Sequence, residues 1–202
     1  MRYTILLLLI FNVINLNAQK ARFGIFGGFA HFDAPSYDDN STEDIKSAIA
    51  ANAGAFVDYN VLDSYGIVFR LGYDTKKIAF EEQVNLNYLN LGLLLKLDLD
   101  DQYAKGFYVF GGPKIAFLTT ANINDVEIED GINNTQFGII AGAGVHLNSY
   151  LELDLFLDTD TASVLSAPGQ QVKVFGFGFN LKLEMNAMLN WYVPSADPLK
   201  KN

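Results

Sequence analysis

From Arg22 to Glu184 the chain alternates apolar and polar residues with a period of two. Successive side chains on a strand point to opposite faces, whereas a helix repeats every 3.6 residues, so this pattern predicts strands. Eight segments carry it: Arg22–Phe32, Gly54–Leu62, Tyr65–Lys76, Val84–Asp98, Gly106–Leu118, Gln136–Leu147, Tyr150–Asp158 and Val172–Glu184. The connections alternate in length. They are short at Asp63-Ser64, Leu99–Lys105 and Asn148-Ser149, long at Asp33–Ala53 and Thr119–Thr135, and intermediate at Thr159–Gln171. Lys77–Gln83 is short where a long connection has room.

Charge sorts with the same period. In the second to eighth segments the charged positions are Asp58, Arg70, Asp74, Lys76, Lys96, Asp98, Lys114, Glu152, Asp154, Asp158, Lys182 and Glu184. All lie opposite the runs Leu89-Leu91-Leu93-Leu95-Leu97, Phe107-Val109, Ile115-Phe117, Leu151-Leu153-Leu155-Leu157 and Phe175-Phe177-Phe179-Leu181. Lys173, at the outer end of the last segment, is the exception. Lys or Arg facing hydrocarbon costs about 2–4 kcal/mol at the bilayer midplane and little at its edges. That penalty is large enough to enforce the sorting strand by strand. A soluble sheet would instead turn its polar face to water and cover the apolar one, and no amphipathic helix is available to cover it. The expected fold is all-β, an eight-stranded antiparallel up-and-down transmembrane β-barrel with lipid outside, short turns in the periplasm and both termini on that side. Tyr59, Tyr65, Tyr103 and Phe107 share the outward face beside the short turns, where an interfacial aromatic girdle belongs.

Ahead of the strands, Met1-Arg2, the apolar run Ile5–Phe11 and the small Ala18 before Gln19 have the layout of a secretory signal peptide cut after Ala18. The run is too short, and too interrupted by Asn12, for a spanning helix of about 20 apolar residues. The chain divides into a signal peptide (1–18), an outer-membrane barrel (19–184) and a C-terminal periplasmic tail (185–202). Only 18% of residues are charged, against about 25% in soluble domains, as a lipid-facing wall requires. The 23 Asp and Glu against 14 Lys and Arg argue against nucleic acid. The lack of cysteine removes disulfides, thiolate zinc sites, cysteine nucleophiles and a lipid-anchored N-terminal Cys.

Eight strands leave an interior just wide enough for side chains, so inward charges must be paired and hydrogen-bonded there. The expected lumen network is Asp58, Arg70, Lys96, Lys114, His146, Glu152, Asp154 and Lys182, in a structural role. An odd-length turn over Asp63–Tyr65 would set Asp58 opposite Arg70, and one over Asn148–Tyr150 would set His146 opposite Glu152. Other chemistry is sparse. His31 lies near Asp33 and Ser36 at the outer rim, but the spacing provides no oriented acid for a hydrolytic triad. In Asp125-Val-Glu127-Ile-Glu129-Asp130-Gly131 the glycine falls one position late for a calcium loop and no closing Glu follows. It reads as a solvated acidic loop able to bridge weakly, through divalent cations, to anionic lipid. Ser41-Thr42-Glu43-Asp44 ahead of Ile45, Ala48 and Ile49 predicts a short capped helix in the first loop. Gly27-Gly28 and Gly142-Ala143-Gly144 lack the strand-to-helix setting of phosphate loops and read as close-packing positions. No catalytic residue, metal or cofactor is assigned.

Tyr88-Leu-Asn-Leu-Gly-Leu-Leu-Leu-Lys96 resembles the "YLxIPLLLK" strand of the PorT-like outer-membrane β-barrel proteins of Bacteroidetes. Gly106-Phe-Tyr-Val-Phe-Gly-Gly-Pro113 is similar to the "yyvxaGP" strand that follows it, and Gly138–Leu147 to the "GxxxGaGvel" strand. Gly92 stands where that family has proline. The chain also runs past its last strand through Met185–Asn202, with Trp191-Tyr192, instead of ending on a strand-closing aromatic. The resemblance covers most of the mature chain and implies an eight-stranded barrel in a Gram-negative outer membrane, without catalytic residues. The function expected is a non-enzymatic envelope barrel with a structural, adhesive or assembly and secretion-accessory role. The alternatives are a small-molecule-binding or transport barrel and a soluble lipocalin-like carrier with an apolar inside. Expected partners are outer-membrane lipids and lipopolysaccharide, the barrel-assembly machinery during insertion, and an envelope protein met through the acidic loops or the tail.

Overall fold

The computed structural model describes residues 21–33, 46–62, 64–79, 83–100, 104–123, 126–127, 132–161 and 174–186. Its strands are β1 (Ala21–Asp33), β2 (Lys46–Leu62), β3 (Tyr65–Ala79), β4 (Gln83–Asp98), β5 (Phe107–Ile123), β6 (Val126–Glu127), β7 (Thr135–His146), β8 (Leu151–Asp160) and β9 (Phe175–Glu184). Each pairs antiparallel with its neighbour in the order β1, β2, β3, β4, β5, β7, β8, β9, and β9 returns to β1. The result is a closed eight-stranded barrel, and closure leaves no wall strand with an open edge in the hydrocarbon. The two-residue β6 stands outside the ring, paired to β5 at Asn122-Ile123. Among the described residues no helix is long and apolar enough to cross a membrane.

Parity divides the wall as the sequence pattern requires. Lys76, Lys96, Glu152, Asp154 and Lys182 are buried inside, while Leu95 (70%), Phe107 (65%) and Leu155 (62%) stand exposed on the outer surface. This is the reverse of a lipocalin-like carrier, whose inside would be apolar. Aromatic residues border the apolar band at one end and polar ones at the other. At the turn end Tyr65, Phe107 and Tyr150 are exposed on the outside, and Tyr103 lies outside the described residues. At the other end Thr75 Oγ1 donates to Asn87 Oδ1 (2.9 Å) and Asn87 Nδ2 donates to Thr120 Oγ1 (2.7 Å), a ladder across three strands.

Two expectations change. β2 starts at Lys46 instead of Gly54, so residues 46–49 are strand where a short helix was expected. Ala48, Ala50, Ala51 and Ala53 give neither face a distinct polarity, which hides the alternation. They pair with Gly27–Phe32, whose backbone groups need partners in a closed wall. The capping box itself lies outside the described residues. At the first turn Leu62 pairs with Tyr65 and a register shift follows between Asn60 and Leu62. Asp58 therefore sits opposite Val68, and Arg70 opposite Phe56; they share a face but are not the directly opposed pair expected. Met185-Asn186 form a helical turn, and Asn186 binds β1 by accepting from Phe23 N (2.7 Å) and donating to Ala21 O (2.7 Å).

At the Asn148 turn the odd length does hold. Leu147 N donates to Leu151 O (2.9 Å), and Asn148 Oδ1 accepts from the backbone N–H of Tyr150 (3.0 Å) and Leu151 (2.9 Å). His146 consequently lies directly opposite Glu152.

Inside, rings lie over glycines. A Cβ on Gly54 would meet the Phe26 ring at 2.6 Å, one on Gly142 the Phe110 ring at 2.6 Å, and one on Gly178 the Phe156 ring at 2.8 Å. Small inward residues give large ones the room that a narrow, tapering lumen would otherwise deny. Gly28 is the tightest of the strand glycines, its missing Cβ falling 1.9 Å from Phe179 O on β9, whereas a Cβ on outward Gly27 meets nothing closer than 3.8 Å. Gly28→Ala is expected to destabilise the barrel by about 1–3 kcal/mol through overpacking, and Gly27→Ala to leave it unchanged. Urea unfolding in lipid vesicles checks this pair, and equal midpoints for the two variants would contradict it.

Candidate functional site

The lumen is the only place where the described strands gather charge. Toward the turn end, seven strands contribute to one group. The Arg22 guanidinium on β1 donates to Glu184 (Nε, 2.8 Å) and to Glu152 Oε1 (Nη2, 2.5 Å), and lies 3.5 Å from Asp58 Oδ2. Lys182 Nζ donates to Glu152 Oε2 at 2.6 Å, and Tyr108 OH donates to the same oxygen at 3.1 Å and to Asp154. Lys96 Nζ donates to Asp58 Oδ2 at 3.0 Å. His146 Nδ1 is 3.2 Å from Glu152 Oε1, and its Nε2 is 3.1 Å from Asp98 Oδ1. Glu152 is therefore the hub, with both oxygens occupied by cationic or hydroxyl donors from β1, β5 and β9. The cations also rest on aromatic faces: Lys96 lies 4.3 Å from the Tyr108 ring centre and Lys182 4.5 Å from that of Phe56.

A second group sits toward the loop end. Lys76 Nζ donates to Asp160 Oδ2 at 2.5 Å, and Lys114 pairs with Asp158 and with Asp160 Oδ1 (3.0 Å). Between the groups, Arg70 stacks 4.3 Å over the Phe26 ring. The Asn180 amide, oriented to satisfy both neighbours, accepts from Arg70 Nη2 at 2.8 Å and donates to Asn52 Oδ1 at 2.5 Å. Asn90 Nδ2 donates to Asp74.

Of the expected lumen residues, Asp58, Lys96, His146, Glu152, Asp154 and Lys182 come together in the first group. Lys114 joins the second, and Arg70 stands between them. Arg22 and Tyr108 were not expected in the network. The sequence signal for both was available: Arg22 has the parity of the inward set, and Tyr108 follows the outward Phe107. His31 faces outward with its ring centre 5.1 Å from that of Phe177; Ser36 lies outside the described residues, and no triad is assembled among the described ones. In the acidic segment Val126-Glu127 pair with β5, and the rest of 125–131 lies outside the described residues. Among the described residues no group of three His, Cys, Asp or Glu is placed to hold a metal ion.

A charged, self-paired lumen inside an apolar wall is the arrangement of a barrel set in lipid. The sequence profile described as "Outer membrane protein beta-barrel domain" matches residues 17–162. The chain belongs to this family. Among solved structures, the outer-membrane barrel is similar to Neisserial surface protein A, with TM-score 0.59 at 13% identity, covering 80% of this chain and 96% of that one. It is also similar to Ail, the attachment invasion locus protein of Yersinia pestis, with TM-score 0.50 at 11% identity, covering 82% of this chain and 99% of that one. At such identities the likeness is one of fold. No curated protein sequence matches the chain.

Proposed function

We propose that this chain is an exported, non-enzymatic outer-membrane barrel of the PorT-like kind in a Bacteroidetes envelope, acting as a structural, adhesive or assembly and secretion-accessory component. The observation that carries the reading is a lumen filled by the wall's own side chains. Tyr88, Tyr108, Lys76, Lys96 and Glu152 are all buried to within 1%, and the charges are spent on one another instead of facing a solute path. In this reading residues 1–18 are the signal peptide and 185–202 a periplasmic tail. Contacts with the outside then fall to the connections at the loop end. These carry Asp38, Asp39, Glu43, Asp44, Glu81, Glu82, Asp125, Glu127, Glu129 and Asp130. Such a surface favours a cationic partner, or lipopolysaccharide bridged through divalent cations, over a bare polyanion. The mature protein in liposomes is expected to give no conductance steps and no uptake of small sugars. Flux above that of empty liposomes would replace this reading with the transport alternative.

A further inference from the structure

Midway along the lumen, between the two charged groups, lies a hollow of about 40 Å³. It is lined by Phe26, Asn52, Arg70, Asp74, Asn90 and Lys114, with Phe156 and Asp158 closing it. Two polar atoms beside it are buried with no protein group in reach: Arg70 Nη1 and Asn90 Oδ1. The orientation of Asn90 is set by Asp74, whose carboxylate only accepts and so takes the Nδ2 side. That leaves the carbonyl oxygen for the hollow, on a side chain 91% buried by its 9% exposure. One atom is a donor without an acceptor and the other an acceptor without a donor. Leaving either bare in a wall of low dielectric is costly.

We propose that this hollow is a built site for ordered water, in which a water accepts from Arg70 Nη1 and donates to Asn90 Oδ1. The inference rests on the plugged-lumen reading and adds what completes the plug. Polar partners and charge select the occupant. A water needs roughly 10–15 Å³ of such space and two or more polar partners, which the hollow supplies. Arg70 and Lys114 balance Asp74 and Asp158 around it, so neither an anion nor a cation is favoured over a neutral molecule. The water ties β3 to β4 at mid-height. Through Arg70 and its Asn180 contact on one side, and Asp74 and its Asn90 contact on the other, it joins side chains that otherwise stop at the hollow.

The experiment is a crystal structure of the mature barrel at better than 2 Å, paired with water-to-protein cross-relaxation at the Asn90 side-chain amide in lipid nanodiscs. Density within hydrogen-bond distance of both Arg70 Nη1 and Asn90 Oδ1, with a cross-peak to water, is the expected result. An empty hollow, or density that fits only a larger solute or an ion, overturns the proposal. Asn90→Leu removes the acceptor and should lower the heat-conversion temperature on gels by on the order of 5 °C. Arg70→Met added to it should cost less than the sum of the two single losses, because the water joins the two sites. Strictly additive losses, with the cross-peak absent in the parent, would also overturn it. Liposome flux with the hydrated site intact would count against the plugged lumen alone and leave the water site standing.

Discussion

Glu152→Leu is expected to lower the stability of the folded barrel by about 3–5 kcal/mol, the cost of breaking a buried ion pair by removing one partner. Leucine nearly keeps the volume, so the loss is electrostatic. Arg22 Nη2, Lys182 Nζ and Tyr108 OH all lose an acceptor at once, and Lys182 and Tyr108 are buried away from water by the side chains around them. An exposed ion pair would be worth about 0–1 kcal/mol, so the size of the effect separates a buried hub from an incidental contact. Lys182→Met in the Glu152→Leu background should recover part of the loss, while alone it should destabilise; the non-additivity measures the coupling. Urea unfolding in vesicles and the heat needed to convert the compact gel band both read this out. A Glu152→Leu barrel that melts with the parent would remove the network as a source of stability.

How much of this was legible beforehand follows from what each level of structure depends on. Face assignment was legible because hydrocarbon rejects charge at every strand separately, so Lys96, Lys114, Glu152 and Lys182 each report the same parity. Register was legible only where the turn residues constrain it. Asn148 caps its own turn through its side chain, and the three-residue connection sets His146 opposite Glu152. At Asp63-Ser64 no residue announces that Leu62 pairs with Tyr65 or that a one-residue shift follows between Asn60 and Leu62, and together these set Asp58 opposite Val68 instead of Arg70. The expected and observed registers differ by two residues, which preserves parity, so the alternation cannot detect it. The Ala48–Ala53 extension was hidden because alanine is indifferent to both faces. The inward parity of Arg22 was legible but its partner was not: β1 meets β9 only when the barrel shuts, and Glu184 lies 162 residues away. Non-local contacts of that kind leave no local trace.

The claim on which the rest depends is that lipid wets the outer wall, and Leu71→Lys tests it at the most demanding place. On β3 the outward residues run from Tyr65 at the turn end through Ile67, Phe69, Leu71 and Tyr73 to Thr75, the first rung of the polar ladder. Leu71 is 47% exposed in the middle of that run and pairs with outward Leu91 on β4. A lysine there must either strand its ammonium near the midplane or bend its stem toward a border that is far on both sides. The expected cost is about 2–4 kcal/mol in vesicles. The same substitution at Tyr65, also outward and 55% exposed, lies beside the short turn and should cost only about 0–1 kcal/mol. Both sites are equally open in the bare molecule, so a water-exposed wall predicts the same small effect at each, and only hydrocarbon separates them. Folding free energies measured side by side in vesicles decide the matter. Equal values for Leu71→Lys and Tyr65→Lys would mean that the leucine face does not meet lipid, and the membrane reading of the barrel would fail with it.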